Sequence, residues 1–245
     1  MIKYQTFLKN SEYFNLQEKG NVVCIGFFDG LHKMHKAIFS ETKRIAKEEN
    51  FIWSVITFSE KVSDFLKGIK KTLQSRNDKY QNIERNYKPD YLFEIDVNSE
   101  SIKLNANDFC LFLKETLNVK KIVVGDDFRF AYKGEGNISF LQNFFGVENI
   151  IVFKRVLNIS TSLLKDNLIK GEISNVNKII DDNFTARFKK ISEDSYLMED
   201  YNIEIANGLY LVEIDGKSLE IRLKNNIVKI HSKKDSLYIE FLNKL

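Results

Sequence analysis

The sequence predicts an α/β chain: a parallel sheet with helices on both faces, followed by a small antiparallel β domain. Three observations carry this. The β-branched runs Val22-Val23-Cys24-Ile25 and Ile122-Val123-Val124 each end in a loop of glycine and aspartate, as buried strands of an open α/β sheet do at their carboxyl ends. Strand and helix signals alternate up to about residue 180, the pattern of a parallel sheet. Beyond it the texture changes to short runs that alternate apolar and polar residues, as half-buried antiparallel strands do.

The elements follow in order. Residues 22–27 form the first strand. Residues 33–47 have helical periodicity, with Ala37, Ile38, Ile45 and Ala46 on one side. Residues 52–58 are the second strand. Residues 75–86 are a polar helix, which Pro89 separates from a third strand at 91–95. Asn105 caps a helix over 105–117. Strands at 121–125 and 149–154 flank a helix over 138–145, and helices over 160–170 and 174–182 close the first domain. Strands are then expected at 185–191, 201–205, 209–214, 218–223, 227–231 and 236–242. Asp215-Gly216 is a strong two-residue hairpin turn and Asn225-Asn226 a weaker one. The expected domains are 1–182 and 183–245, the second close to the lower size limit for folding alone.

Composition narrows the function classes. The 245 residues are 43% hydrophobic and 29% charged, enough for an ordinary core. The net charge of +3 falls short of a dedicated nucleic-acid binder. No apolar run is long enough to span a membrane, and the start, Met1-Ile2-Lys3-Tyr4-Gln5-Thr6-Phe7, lacks the pattern of a signal peptide. The two cysteines, Cys24 and Cys110, fall within a strand and a helix, so no disulfide framework is implied. A cytoplasmic protein is expected; oligomerisation is left open.

The chemistry concentrates in two places. In Gly26-Phe27-Phe28-Asp29-Gly30, a glycine turn leads into the helix at Lys33. Backbone amides at such a turn and helix start bind an anion without a charged side chain. His32 and His35 lie three residues apart there and can reach a phosphate held at the same end. Two surface histidines on an ordinary helix are the simpler alternative; the strand and glycine turn before them favour phosphate. A structural zinc site would need four ligands, and no cysteine pair or third histidine lies near in sequence. Ser160-Thr161-Ser162 opens a later helix, with Lys165 one turn on. That group suits a second phosphate contact, and equally an ordinary helix cap.

These residues resemble a known family. The order Gly-x-Phe-Asp-Gly-x-His-x-x-His, then Thr57-Phe58, then Gly125-Asp126-Asp127-Phe128-Arg129-Phe130, then Ile159-Ser160-Thr161-Ser162 with Lys165 is similar to bacterial FAD synthetase. That family is usually bifunctional, joining a riboflavin kinase to an FMN adenylyltransferase. The resemblance covers essentially the whole chain and implies a Rossmann-like nucleotidylyltransferase sheet with a β-barrel-like C-terminal domain. It also implies magnesium-dependent conversion of ATP and FMN to FAD and pyrophosphate. Within the family motifs, Met34 and Ala131 stand where the family has glycine, Ser162 where it has threonine and Lys165 where it has arginine. The Thr-Phe-x-Pro-His-Pro motif becomes Thr57-Phe58-Ser59-Glu60-Lys61-Val62. The kinase motif Gly-x-Pro-Thr-Ala-Asn cannot exist here, because Pro89 is the only proline. Glu220 is an ambiguous match to the kinase base, and the domain after residue 182 is read as reduced.

The resemblance assigns His32, His35 and Lys165 to catalysis and gives Gly26, Phe27, Phe28, Asp29, Gly30, Asp127, Ser160, Thr161 and Ser162 to ATP. Thr57, Phe58 and residues of the loop over 59–73 are the flavin candidates, an aromatic there serving equally as core. Mg2+ comes with ATP, with no protein ligand assigned. ATP and FMN are the small-molecule partners; neither nucleic acid nor membrane is expected. Two other readings remain: a nucleotidylyltransferase with another phosphate-bearing acceptor, and a non-catalytic nucleotide- or flavin-binding regulator.

Overall fold

A computed structural model describes residues 1–6, 19–69, 72–154, 159–199 and 201–245, with only the backbone of Gln5 and Thr6. Phe7 and residues 70 and 71 of the expected flavin loop lie outside the described residues. The chain packs as two compact units. One comprises Met1–Phe28, Met34–Lys70 and Tyr80–Val156; the other comprises Asp29–Lys33, Lys71–Lys79 and Leu157–Leu245.

The first unit is built on six parallel strands: β1 (Ile2–Thr6), β2 (Asn21–Ile25), β3 (Ile52–Phe58), β4 (Tyr91–Ile95), β5 (Val119–Gly125) and β6 (Ile150–Phe153). Their order is β1-β4-β3-β2-β5-β6. The chain steps outward from β2 through β3 to β4, then crosses to the far side of β2 for β5 and β6. The direction reverses between β2 and β5, and ligands of open α/β sheets bind at such a switch point. β2 is central because it can be: Val22, Val23 and Cys24 are fully buried, as a strand covered on both faces requires. Its one polar residue, the buried Asn21, is satisfied: its carbonyl accepts from Ser54 Oγ at 2.8 Å and its amide donates to the Leu117 carbonyl at 3.1 Å. Strand β1 was not expected from sequence. Its residues alternate weakly, and Tyr4 is held by stacking on Tyr91 and Phe93, with ring centroids 6.0 and 5.7 Å apart.

The helices are α1 (Lys33–Glu49), α2 (Val62–Lys67), α3 (Arg76–Tyr87), α4 (Ala106–Leu111), α5 (Ile138–Phe145), α6 (Thr161–Lys170) and α7 (Ile173–Ile180). Asn105 caps α4 as expected, accepting from the Asp108 amide at 2.9 Å, and the helix widens to a π turn over Phe112–Thr116. Helix α2 lies within the expected flavin loop and ends at Gly68 in the left-handed region (φ 62°).

The second unit contains a closed six-stranded antiparallel barrel: β7 (Phe184–Lys190), β8 (Ser195–Met198), β9 (Gly208–Ile214), β10 (Lys217–Lys224), β11 (Ile227–Lys229) and β12 (Ser236–Lys244), in the cyclic order β10-β11-β8-β7-β12-β9. Both turns sit where the sequence places them. Asp215 and Gly216 have φ of 52° and 77°, Asn225 and Asn226 of 51° and 59°, the double left-handed geometry of a type I′ hairpin. Large side chains fill the inside: Phe184, Phe188, Tyr196, Tyr210 and Phe241 are all buried. The expected strand over 201–205 is not one. There the Ile205 amide donates to the Asn226 side-chain carbonyl at 2.9 Å, and the Asn226 side chain donates to the Ile203 carbonyl at 2.6 Å. A turn side chain takes the backbone groups a ladder would have used, and β8 closes the barrel instead.

Both cysteines are buried. Burial pushes the Cys24 thiol far up and the Cys110 thiol up to about 12. The folded state therefore holds these protons more tightly than the unfolded chain. This contribution to stability is full below the ordinary thiol pKa of about 8.5 and is lost as pH rises toward the folded values. At pH 8 neither thiol of the native protein is expected to react with a disulfide reagent within minutes, and both should react in denaturant. Prompt reaction of either native thiol would contradict the burial.

Candidate active site

Three loops leave neighbouring strands at the carboxyl edge of the sheet: Gly26–Gly30 after β2, Ser59 onward after β3, and Gly125–Phe130 after β5. The first is tightly folded. The Gly26 amide donates to the Ile56 carbonyl at 3.1 Å, and Thr57 Oγ1 donates to the Phe27 carbonyl at 3.2 Å. Phe28 sits at φ 53°, a costly conformation for a bulky residue. Its buried ring packs on Phe39 at 4.7 Å and meets the His35 ring edge-on at 5.3 Å. The same ring explains Gly26, because a Cβ there would lie 2.9 Å from Phe28.

From Asp29 the turn belongs to the second unit. Asp29 is 2% exposed, and a buried carboxylate needs partners. Its oxygens accept from the Leu73 amide at 3.0 and 2.8 Å and from the Gln74 amide at 3.1 Å, while Lys165 Nζ lies 3.8 Å away. The Asp29 carbonyl accepts from Thr161 Oγ1 at 2.9 Å. Gly30 and Leu31 follow at φ 78° and 40°. His32, also buried, immediately precedes α1, and His35 is the third residue of that helix.

The structure thus brings Asp29, Thr161 and Lys165 into direct contact. It uses the Ser160 hydroxyl as the cap of α6, accepting from the Leu163 amide at 3.2 Å. Ser162 is exposed. Of the flavin candidates, Thr57 is buried and holds the Phe27 carbonyl, and Phe58 packs against the sheet core. In the loop after β5, Asp126 and Asp127 are exposed, while Phe130 is buried and stacks on Phe109 and Phe128 at 5.0 and 5.6 Å. The aromatics anchor the loop and leave its carboxylates outward. Sequence reasoning places Leu73 at the end of the flavin loop and misses Gln74; what both give Asp29 is a backbone amide, which carries no residue-type signal.

Ala131 lies at φ 64° and ψ −173°, a region that is essentially glycine's alone and costs other residues about 1–3 kcal/mol. Replacing it with glycine is expected to release that strain against an entropic loss of about 0.5–1 kcal/mol. A gain of about 1 kcal/mol would raise the melting temperature by about 2–4 °C. A melting temperature equal to or below wild type would show that the loop carries no such strain.

Among the described residues no helix is long and apolar enough to cross a membrane. The family model described as FAD synthetase matches residues 15–158. A bifunctional riboflavin kinase/FMN adenylyltransferase from Buchnera aphidicola subsp. Schizaphis graminum is 29% identical over 214 residues, spanning 79% of this chain and 68% of that protein. An FAD synthetase from Listeria monocytogenes serovar 1/2a is 22% identical over 236 residues, 90% of this chain and 95% of that one. The crystal structure of a macrolide-efflux protein from Streptococcus pneumoniae superposes with a TM-score of 0.79 at 20% identity, covering 100% of this chain and 91% of that chain; at that identity the likeness speaks for the fold alone. The chain belongs to the FAD synthetase family and is a nucleotidyltransferase of the FMN adenylyltransferase type.

Proposed function

We propose that this protein is a cytosolic FAD synthase that adenylylates FMN and does not phosphorylate riboflavin. The observation that carries the reading is the Gly26–Gly30 turn, which leaves central β2 at the point where the strand order reverses and leads into α1. An oxygen of the FMN phosphate attacks the α-phosphorus of ATP in line. The bond from that phosphorus to the oxygen bridging to the β-phosphate breaks, and pyrophosphate leaves. No covalent enzyme intermediate is needed, so catalysis is positioning and charge stabilisation.

In this reading Gly26, Phe27, Phe28, Asp29 and Gly30 shape the phosphate turn, and His32 and His35 stabilise charge on the phosphate oxygens. Thr161, the amides at the start of α6 and Lys165 serve the departing phosphates, with Ser160 and Ser162 flanking them. Asp127 orients the nucleotide, and Thr57 and Phe58 border the flavin. ATP enters as its magnesium complex, the ion keeping phosphate and water ligands. Among the described residues no group of three or more His, Cys, Asp or Glu side chains is placed to hold a metal ion. Mass spectrometry of the product formed from ATP, FMN and Mg2+ tests the reading: FAD and pyrophosphate are expected, and the absence of both would overturn it.

Three facts support the loss of kinase activity. The chain has a single proline, Pro89, so the family's kinase loop is missing. Glu220 is exposed on β10. The chain also aligns with 95% of a protein named simply FAD synthetase. Riboflavin and MgATP are expected to give no FMN above a no-enzyme control; measurable FMN would reverse this conclusion.

A further inference from the structure

The segment from Thr72 to Asp78 is gripped from two sides. On one side the Leu73 and Gln74 amides hold the Asp29 carboxylate. On the other, the same segment is tied to Tyr201 and Asn202, which lie between β8 and β9, and to β7. The Asn202 amide donates to the Leu73 carbonyl at 2.9 Å, and Asn202 Nδ2 donates to Thr72 Oγ1 at 2.9 Å. Gln74 forms an isolated antiparallel bridge with Tyr201, and its Nε2 donates to the Tyr201 hydroxyl at 3.3 Å. Four residues on, Asp78 receives Arg187 of β7 at 3.1 Å. Leu73, Gln74, Asp78 and Asp29 are all buried, so the bonds from the Leu73 and Gln74 amides to Asp29 are shielded from water, whereas the Asn202 side-chain bond to Thr72 is exposed. Leu73 is the middle link: its N–H donates to Asp29 and its C=O accepts from Asn202.

We infer that the barrel positions Asp29, the point where the phosphate turn enters the second unit, with Asn202, Tyr201 and Arg187 acting through the Thr72–Asp78 segment. These three are positioning residues, acting through the Thr72–Asp78 segment. This gives the barrel a task in adenylyl transfer that needs no kinase chemistry. The inference rests on the reading of the Gly26–Gly30 turn as the ATP site, and two measurements on the full chain keep the two separable.

The first is amide hydrogen exchange at Leu73 and Gln74, which reports the clamp whether or not ATP binds. Asn202→Pro, which removes the amide that bonds the Leu73 carbonyl, and Arg187→Met are expected to speed exchange at both amides at least tenfold; Arg187→Lys, which keeps a cation beside Asp78, should restore most of the protection. The second is steady-state kinetics. The same variants should raise KM for MgATP about five- to tenfold with kcat within twofold of wild type, and Asn202→Pro should add little in an Asp29→Asn background. Unchanged exchange at Leu73 and Gln74 would overturn the clamp. Faster exchange with unchanged KM, or effects of Asn202→Pro and Asp29→Asn that simply multiply, would overturn its action on the turn. Failure of the wild-type protein to bind MgATP would overturn the site reading and this inference together, while the exchange data would still show whether the clamp exists.

Discussion

Alanine at His32 or at His35 is expected to lower the turnover of FAD formation about 10²-fold or more, the usual cost of removing one preorganised donor to developing phosphate charge. Both side chains sit where α1 begins, and a helix start already favours anions through its exposed amides. An imidazole there adds a directed N–H, worth most in transition states that place new charge on the phosphate oxygens. Both variants should also lose stability. His35 packs edge-on against buried Phe28 at 5.3 Å, and His32 is itself buried, so truncating either should loosen the turn. Melting temperatures measured beside kcat and KM separate the two effects. Near-wild-type turnover in both single variants would reduce the histidines to structural residues of the helix start.

What the sequence made legible was local. The apolar runs of β2, β3 and β5 carry their own burial pattern. Asn105 and Ser160 announce helix starts, and Asp215-Gly216 and Asn225-Asn226 announce turns, because the governing hydrogen bond or φ lies within three residues. What stayed hidden was settled at a distance. The carboxylate of Asp29 meets amides 44 and 45 residues away, and a backbone amide has no residue type to read. The alternation over 201–205 is real, yet Asn226, 21 residues beyond Ile205, removes the backbone from any ladder. Strand β1 adds to the sheet edge through pairing with β4, whose partners begin at Tyr91. The glycine turn itself was visible, but its division of labour was not. Phe28 turns inward to pack on Phe39, Asp29 faces its latch, and the Ser160 hydroxyl caps α6.

Gly30 is the position where a single methyl group should do most damage to the fold. Its φ of +78° already disfavours any side chain, and a Cβ would stand 2.6 Å from Leu73 Cδ2 and 2.9 Å from Leu164 Cδ2. Both leucines are buried, so neither can turn into solvent, and shifting Leu73 would pull on the amide that holds Asp29. A left-handed alanine costs about 1–2 kcal/mol, and forcing a methyl into a filled core adds about 1–3 kcal/mol. Gly30→Ala is therefore expected to destabilise by about 3 kcal/mol, lowering the melting temperature by about 10 °C, and to weaken MgATP binding with it. Gly216 provides the control. Its φ is +77°, but no atom lies within 4 Å of a Cβ built there, so Gly216→Ala should carry the backbone cost alone. If the two variants melt within about 2 °C of each other, a difference of about 1 kcal/mol or less, the packing of Leu73 and Leu164 over the turn does not constrain position 30. The strain would then lie in the backbone only.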